Sequence, residues 1–210
     1  MTLILQALTI TPTAGTPLFA PLTLTIRPDT VTTLMGPSGV GKSTLLDAIG
    51  GHLAPGFRLS GQILLNGRDV THLPAESRRI GLMFQDAALF PHLSVGDNLA
   101  FALPPSLKGR PARRAAVEDA LTRAGLAGFY ARDPATLSGG QRARAALMRT
   151  LLTRPEALLL DEPFARLDAT LRADLRGFTF AHARAQSIPV LLVTHDEADA
   201  LAANGPVIAL

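Results

Sequence analysis

The spacing of apolar positions changes several times along the chain, and each change marks an element. Residues 3–10 and 22–27 alternate or run apolar with Thr and Ile, which predicts two strands of an early β-layer. The Pro- and Gly-bearing segment Thr11 to Pro21 turns between them. Residues 31–35 form a short apolar strand, and 42–50 take a helical spacing that Gly50-Gly51 stops. Ser60 to Gly67 reads as a strand closed by an Asn66-Gly67 turn, and Ile80 to Phe84 as another, stopped by Gln85.

From Asp86 to about Leu137 the texture becomes helical. Val95–Leu103 follows a Ser94 cap, and Pro111–Ala124 sets Val117, Leu121 and Ala124 on one face, with a loop over Leu103–Gly109 between them. Beyond it come a helix at 139–153, a strand at 157–161, a helix near 168–186, a strand at 189–194 and a helix at 196–203. Strands alternating with helices predict a parallel sheet covered on both sides. The expected fold is therefore α/β, with a parallel sheet flanked by helices, a small antiparallel β-layer and an inserted helical subdomain. Residues 1–85 and 138–210 build the core of a single domain over 1–210, and 86–137 the subdomain.

Composition narrows this picture. The 210 residues suit one domain with a real core. An apolar fraction of 47% with a mean hydropathy of +0.25 is high, pointing to a protein or membrane-protein contact surface. No apolar run approaches the ~18–20 residues of a membrane span. The longest, near Ala157–Leu160 and Val190–Val193, read as buried parallel strands. The start, Met1-Thr2-Leu3-Ile4-Leu5, lacks the basic region of a secretory signal and reads as strand. Net charge is +3, carried almost wholly by dispersed Arg, and aromatics are only 5%, so no nucleic-acid partner is expected. Absence of cysteine fits a reducing cytoplasm and excludes thiolate metal sites.

Three stretches carry chemistry. Gly36-Pro37-Ser38-Gly39-Val40-Gly41-Lys42-Ser43-Thr44 fits the P-loop pattern, between a strand and a helix as that pattern requires. Its glycines let backbone N–H groups ring a phosphate, and the helix N-terminus adds positive charge. Lys42 supplies a full charge to the β- and γ-phosphates, and the Ser43 hydroxyl is placed to ligate Mg²⁺. Ala157 to Pro163 is an apolar strand ending in adjacent carboxylates, Asp161 for Mg²⁺ through water and Glu162 to orient and deprotonate a water. Alone, that stretch reads equally as a strand ending in a solvated turn. Leu137-Ser138-Gly139-Gly140-Gln141 opens a helix with a hydroxyl and two glycines; alone it reads as an ordinary N-cap. In this chain it is a second phosphate-binding device.

The third stretch, some twenty residues before Asp161-Glu162, closely resembles the signature of ABC ATPases, and the resemblance covers essentially the whole chain. It implies a P-loop NTPase core, ATP and Mg²⁺ as cofactors, and ATP sandwiched in a head-to-tail homodimer. Residues 38–44, Gln85, Asp161, Glu162 and His195 would act in cis, and Ser138, Gly139, Gly140 and Gln141 in trans. Gln85 matches the Q-loop glutamine, near Mg²⁺ and the attacking water. His195, in Thr194-His195-Asp196-Glu197, matches the switch histidine, and Leu167-Asp168 the D-loop across the dimer interface. The resemblance makes the chain a subunit cytoplasmic and peripheral at the inner face of the membrane, hydrolysing ATP to drive an importer. Gln85 to Val95 resembles subunits for anions, thiamine or related small solutes. That segment would receive transmembrane permease subunits, with a solute-binding protein engaged indirectly; exposed Leu89, Phe90 and Leu93 read otherwise as core.

The chain departs from the family in two places. The slot for the adenine-stacking aromatic falls near Thr13, with Phe19 expected in the core, and Arg166 stands in the D-loop where a small residue is usual. The chain also ends at Leu210 without a regulatory domain or the last hairpin and helix common in the family. A non-transport ABC ATPase and a low-turnover nucleotide-binding regulatory subunit are the alternatives.

Overall fold

The structure, a computed structural model, describes every residue except Ala87 and Arg166. The adenine-slot residue Thr13 is among those described, whereas the D-loop departure at Arg166 lies outside them. The chain folds as two compact units: Met1–Leu82 with Glu156–Glu162 and Phe180–Leu210, and Met83–Pro155 with Pro163–Thr179.

The first unit holds an antiparallel sheet and nearly all of a parallel one. Strands β1 (Leu3–Pro12), β2 (Leu22–Ile26), β4 (Phe57–Leu65) and β5 (Arg68–Asp69) make the four-stranded sheet in the order β2-β1-β4-β5. A bulge interrupts β1 between Gln6 and Thr9, where Ala7 takes φ 46°. Gly61 faces it at φ 89°, and a Cβ there would lie 2.5 Å from the Ala7 carbonyl oxygen, so only glycine fits the crossing. Strands β3 (Val31–Met35), β6 (Ile80–Met83), β7 (Ala157–Asp161), β8 (Val190–Val193) and β9 (Val207–Ala209) make the five-stranded sheet, ordered β6-β7-β8-β3-β9. The β7–β8, β8–β3 and β3–β9 pairings are parallel.

The interior strands β7 and β8 read as unbroken apolar runs because both faces are covered. On one face Ala157, Leu159, Leu191 and Val193 join Leu45, Leu46 and Ile49 of α1 (Lys42–Gly50) and the inner residues of β1 and β4 in one core. Leu158, Leu160, Val190 and Leu192 point the other way and are equally buried. The mixed α/β fold with its parallel and antiparallel sheets is the one expected. Missing from that expectation are the first residues of β4, and β5, α2 (Ala75–Arg78) and β9 altogether.

The second unit is helical. Helices α3 (Val95–Phe101), α4 (Arg110–Arg123) and α5 (Gly139–Leu152) pack on one another, and Val95, Leu99, Val117, Leu121 and Leu147 on them are fully buried. A 3₁₀ turn at Pro134–Thr136 precedes α5. Helix α6 (Ala169–Ala185) begins in this unit, capped by the Asp168 carboxylate, which accepts from the N–H groups of Thr170 and Leu171. Helix α7 (Glu197–Ala203) belongs to the first unit. Among the described residues no helix is long and apolar enough to cross a membrane.

Candidate nucleotide-binding site

The site grows from the carboxyl ends of β3, β7 and β8. Leaving β3, the chain turns through Gly36–Gly41 and enters α1, with Gly41 at the N-cap in the left-handed region (φ 102°). A Cβ at Gly41 would lie 2.9 Å from Leu18 Cδ1, so the position demands glycine twice over. Gly41 has no side chain with which to cap this helix start, and the first N–H groups of a helix have no partners within it. The Lys42 side chain is 7% exposed and folds back over the loop, its Nζ donating to the Gly36 carbonyl at 2.8 Å and the Pro37 carbonyl at 2.9 Å. An ammonium has three donors, so one remains for an anion at the concave face. Loop amides, an open helix N-terminus and a lysine together make an anion site.

Asp161 closes β7 beside Ser43. Burial pushes its carboxyl above the ordinary carboxylate range; a hydrogen bond with the Ser43 side chain opposes the shift, Glu162 and Asp47 add to it, and Lys42 lowers it. A hydroxyl and a carboxylate converging beside a phosphate-binding loop are the hard oxygen donors that Mg²⁺ takes, so the residues present fit that ion. Glu162 follows at φ 43°, a left-handed conformation rare for a side-chain-bearing residue, with its N–H bonded to the Val193 carbonyl at 2.9 Å. That turn carries the carboxylate off the strand line towards His195, whose Nδ1 stands 3.0 Å from Glu162 Oε1. The His195 side chain is 64% exposed and that of Glu162 24%, so the pair opens to solvent at the sheet's edge.

The structure thus brings Lys42, Ser43, Asp161, Glu162 and His195 together within the first unit. The rest of the P-loop, Gly36–Gly41 and Thr44, is in the same unit, and the remaining expected site residues lie in the second. Gln85 is exposed just past β6. Ser138 caps α5 in a reciprocal box: its Oγ accepts from the Gln141 N–H (3.3 Å), and the Gln141 side chain accepts from the Ser138 N–H (3.0 Å). Gly139 is exposed, whereas a Cβ on Gly140 would lie 3.0 Å from Leu171. Asp168 is exposed and caps α6. Back in the first unit, Thr13 is exposed and donates its N–H to the Gly56 carbonyl. Phe19 packs against the core, yet its Cδ1 comes within 3.6 Å of where a Gly41 Cβ would stand, so Leu18 and Phe19 back the P-loop.

The sequence assigned no role to Arg78, Thr194 or Asp199, three buried polar side chains, the first at the far end of α1 and the other two beside His195. Only their burial singles them out, and burial emerges with the fold.

Residues 19–165 match the ABC transporter family. The chain is 55% identical over 175 residues to the uncharacterized ABC transporter ATP-binding protein YnjD of Escherichia coli, covering 83% of this chain and 80% of that one. It is 44% identical over 189 residues to the Fe(3+) ions import ATP-binding protein FbpC of Agrobacterium fabrum, covering 90% and 53%. With the sulfate/thiosulfate import ATP-binding protein CysA of Mycobacterium bovis it shares 48% identity over 171 residues, covering 81% and 48%. The chain spans about half the length of these two import proteins. With a phosphate-binding loop, a strand-end carboxylate pair and a match over most of its length, the chain belongs to the ABC transporter family.

Proposed function

We propose that the chain is the ATP-hydrolysing subunit of an ABC importer, a single ABC ATPase domain with ATP held between two copies. The observation that carries this is the Glu162–His195 pair at 3.0 Å, standing with Lys42, Ser43 and Asp161 at one sheet edge. In the proposed reaction the α1 amides and the Lys42 ammonium hold the β- and γ-phosphates. The Glu162 carboxylate accepts a proton from water as the water oxygen bonds to the γ-phosphorus. The bond from that phosphorus to the β,γ-bridging oxygen breaks, and ADP leaves with its electron pair. His195, bonded to Glu162, turns the carboxylate towards the water and reaches the γ-phosphate with its other nitrogen. Ser43 and Asp161 would hold Mg²⁺, with Gln85 beside it, to neutralise phosphate charge.

In trans, Ser138, Gly139, Gly140 and Gln141 would close on the γ-phosphate of the second copy, with Asp168 at the same interface. The α5 start suits an anion, being a helix N-terminus with exposed Gly139. Gln85 to Val95 would receive the permease subunits, a solute-binding protein joining through them, and this would hold the chain peripherally at the inner face of the membrane. A cavity of about 360 Å³ supports that docking role, lined by Asp86, Leu89, Pro91, Pro134 and Arg142 among others. So does the apolar surface beside it, where Phe90 stacks edge-on against exposed Phe101 at 5.2 Å. The names of the Fe(3+) and sulfate/thiosulfate relatives favour import over export.

Phosphate release and particle mass under Mg-ATP, for wild type and Glu162→Gln, test the reading. Turnover in wild type and a trapped ATP dimer without turnover in Glu162→Gln are expected. Full phosphate release by Glu162→Gln removes Glu162 from the chemistry, and a monomer under every condition removes the sandwich.

A further inference from the structure

Thr194 and Asp199 have no part in the reaction above, and each is only 2% exposed. Burying a hydroxyl and a carboxylate is costly unless each is hydrogen-bonded. Here they bond to one another: Thr194 Oγ1 donates to Asp199 Oδ2 at 3.0 Å. The Thr194 hydroxyl oxygen in turn accepts the Asp196 N–H at 3.1 Å. The order of donation is fixed, because an ionised carboxylate can only accept and a backbone N–H can only donate. The single hydroxyl therefore joins α7, which carries Asp199, to the residue beyond His195.

Two further bonds, one of them long, hold the rest of the turn. The Thr194 N–H donates to the Leu34 carbonyl at 3.4 Å, two residues before the P-loop, and the Asp196 carboxylate caps α7 through the Ala198 N–H at 2.8 Å. His195 sits between these two anchored neighbours with most of its ring in solvent. An exposed imidazole has no packing to choose its rotamer, so the backbone on either side sets where Nδ1 points. Across the gap, the Glu162 N–H is tied to Val193, adjacent in sequence to Thr194. Both partners of the 3.0 Å pair thus take their positions from one strand end.

We infer that Thr194 and Asp199 are positioning residues: their buried hydrogen bond sets the 194–196 turn at the geometry that brings His195 onto Glu162. Valine has the shape of threonine without the hydroxyl, so Thr194→Val removes both bonds and little else. Serine keeps both. The phosphate contacts of Lys42 and the α1 amides do not pass through this turn, so nucleotide affinity changes by no more than the His195 contact with the γ-phosphate, while the chemical step slows.

The inference rests on the hydrolysis reading, and the test separates the two. Steady-state phosphate release is measured on the full chain for wild type, Thr194→Val, Thr194→Ser, His195→Ala and the Thr194→Val/His195→Ala double variant. Thr194→Val lowers kcat by about ten- to a hundredfold, the scale of a small misplacement of a reacting group, with KM within about twofold of wild type. Thr194→Ser recovers most of the rate. On the His195→Ala background Thr194→Val has no further effect, because its influence runs through the imidazole. A residue that only stabilised the fold would slow both backgrounds alike, and that result overturns the inference, as does a rise in KM with kcat unchanged. If Thr194→Val does not fold, Asp199→Leu, close to aspartate in reach and without an acceptor for the Thr194 hydroxyl, goes through the same cycle and is judged by the same outcomes. No phosphate release from wild type sinks the hydrolysis reading and this inference together. Turnover that Thr194→Val leaves at the wild-type rate sinks the inference alone.

Discussion

At the scale of single residues the site trades stability for chemistry, and Asp161 shows the exchange. Its carboxyl is raised chiefly by burial and further by Glu162 and Asp47, against the pull of Ser43 and Lys42. A raised acid binds its proton more tightly in the folded chain than in the unfolded one. Its contribution to stability is therefore most favourable at acid pH and is lost as pH climbs from the ordinary carboxylate range through the raised value. With chelator present, unfolding midpoints followed over that window fall for wild type, and Asp161→Asn removes this part of the slope. At neutral pH the neutral amide raises the midpoint of the metal-free protein by a few degrees while abolishing Mg²⁺-dependent ATP binding. A variant no more stable than wild type would show that Asp161 is not under strain. The pair of carboxylates was legible in the sequence because its members are adjacent. The contact between Glu162 and His195 was not, since it depends on the turn at Glu162 and on the neighbouring ends of β7 and β8.

Among elements, α1 is held at both ends, and the second hold involves an arginine that no motif marks. The Arg78 guanidinium is buried and donates to the carbonyls of Ala48 (2.7 Å), Ile49 (2.8 Å), Thr71 (2.8 Å) and Leu73 (2.8 Å). It thereby satisfies the last turn of α1 and the loop after β5 at once, a cation placed at the negative end of the P-loop helix. Gly51, in the left-handed region, lets it approach, since a Cβ there would lie 2.8 Å from Arg78 Nε. Its neighbour Arg79 is 58% exposed and paired with Glu156 at 2.9 Å. Arg78→Met therefore strands several buried carbonyls and costs roughly 3 kcal/mol, whereas Arg79→Met costs less than about 1 kcal/mol. Urea unfolding of the two variants reads the difference, and equal losses would refute the clamp. In sequence the two arginines are indistinguishable. Elements with long periodic or wholly apolar patterns were legible: β1, β3, β7, β8, α4 and α5. Those missed are short and polar, α2 with four residues and β5 with two, or lie at a sheet edge like β9, where a half-exposed strand of three residues leaves no period to read.

For the whole molecule the decisive proposal is that each active site is shared between two copies, and a mixing experiment tests it without the membrane partners. Lys42→Ala removes the cation of the P-loop but leaves α5 intact. Gly139→Asp does the reverse. Gly139 is exposed at the first position of α5, where an acidic side chain suits the helix end and the fold but repels a phosphate arriving from another copy. Each variant alone is expected to be inactive, because both sites of its symmetric dimer carry the same defect. In an equal mixture about half of the dimers pair one variant with the other, and a two-fold arrangement places both defects in one site and leaves the second whole. If the two sites work independently, the mixture recovers about a quarter of the wild-type rate, one intact site in two across half the dimers. Recovery must fall on dilution as the dimers come apart, and vanish when the Gly139→Asp variant also carries Glu162→Gln beside its sound P-loop. A mixture as inactive as its components, under conditions where mixed dimers are seen by mass, would mean that the P-loop of one copy does not meet the α5 start of the other, and the head-to-tail sandwich would fall.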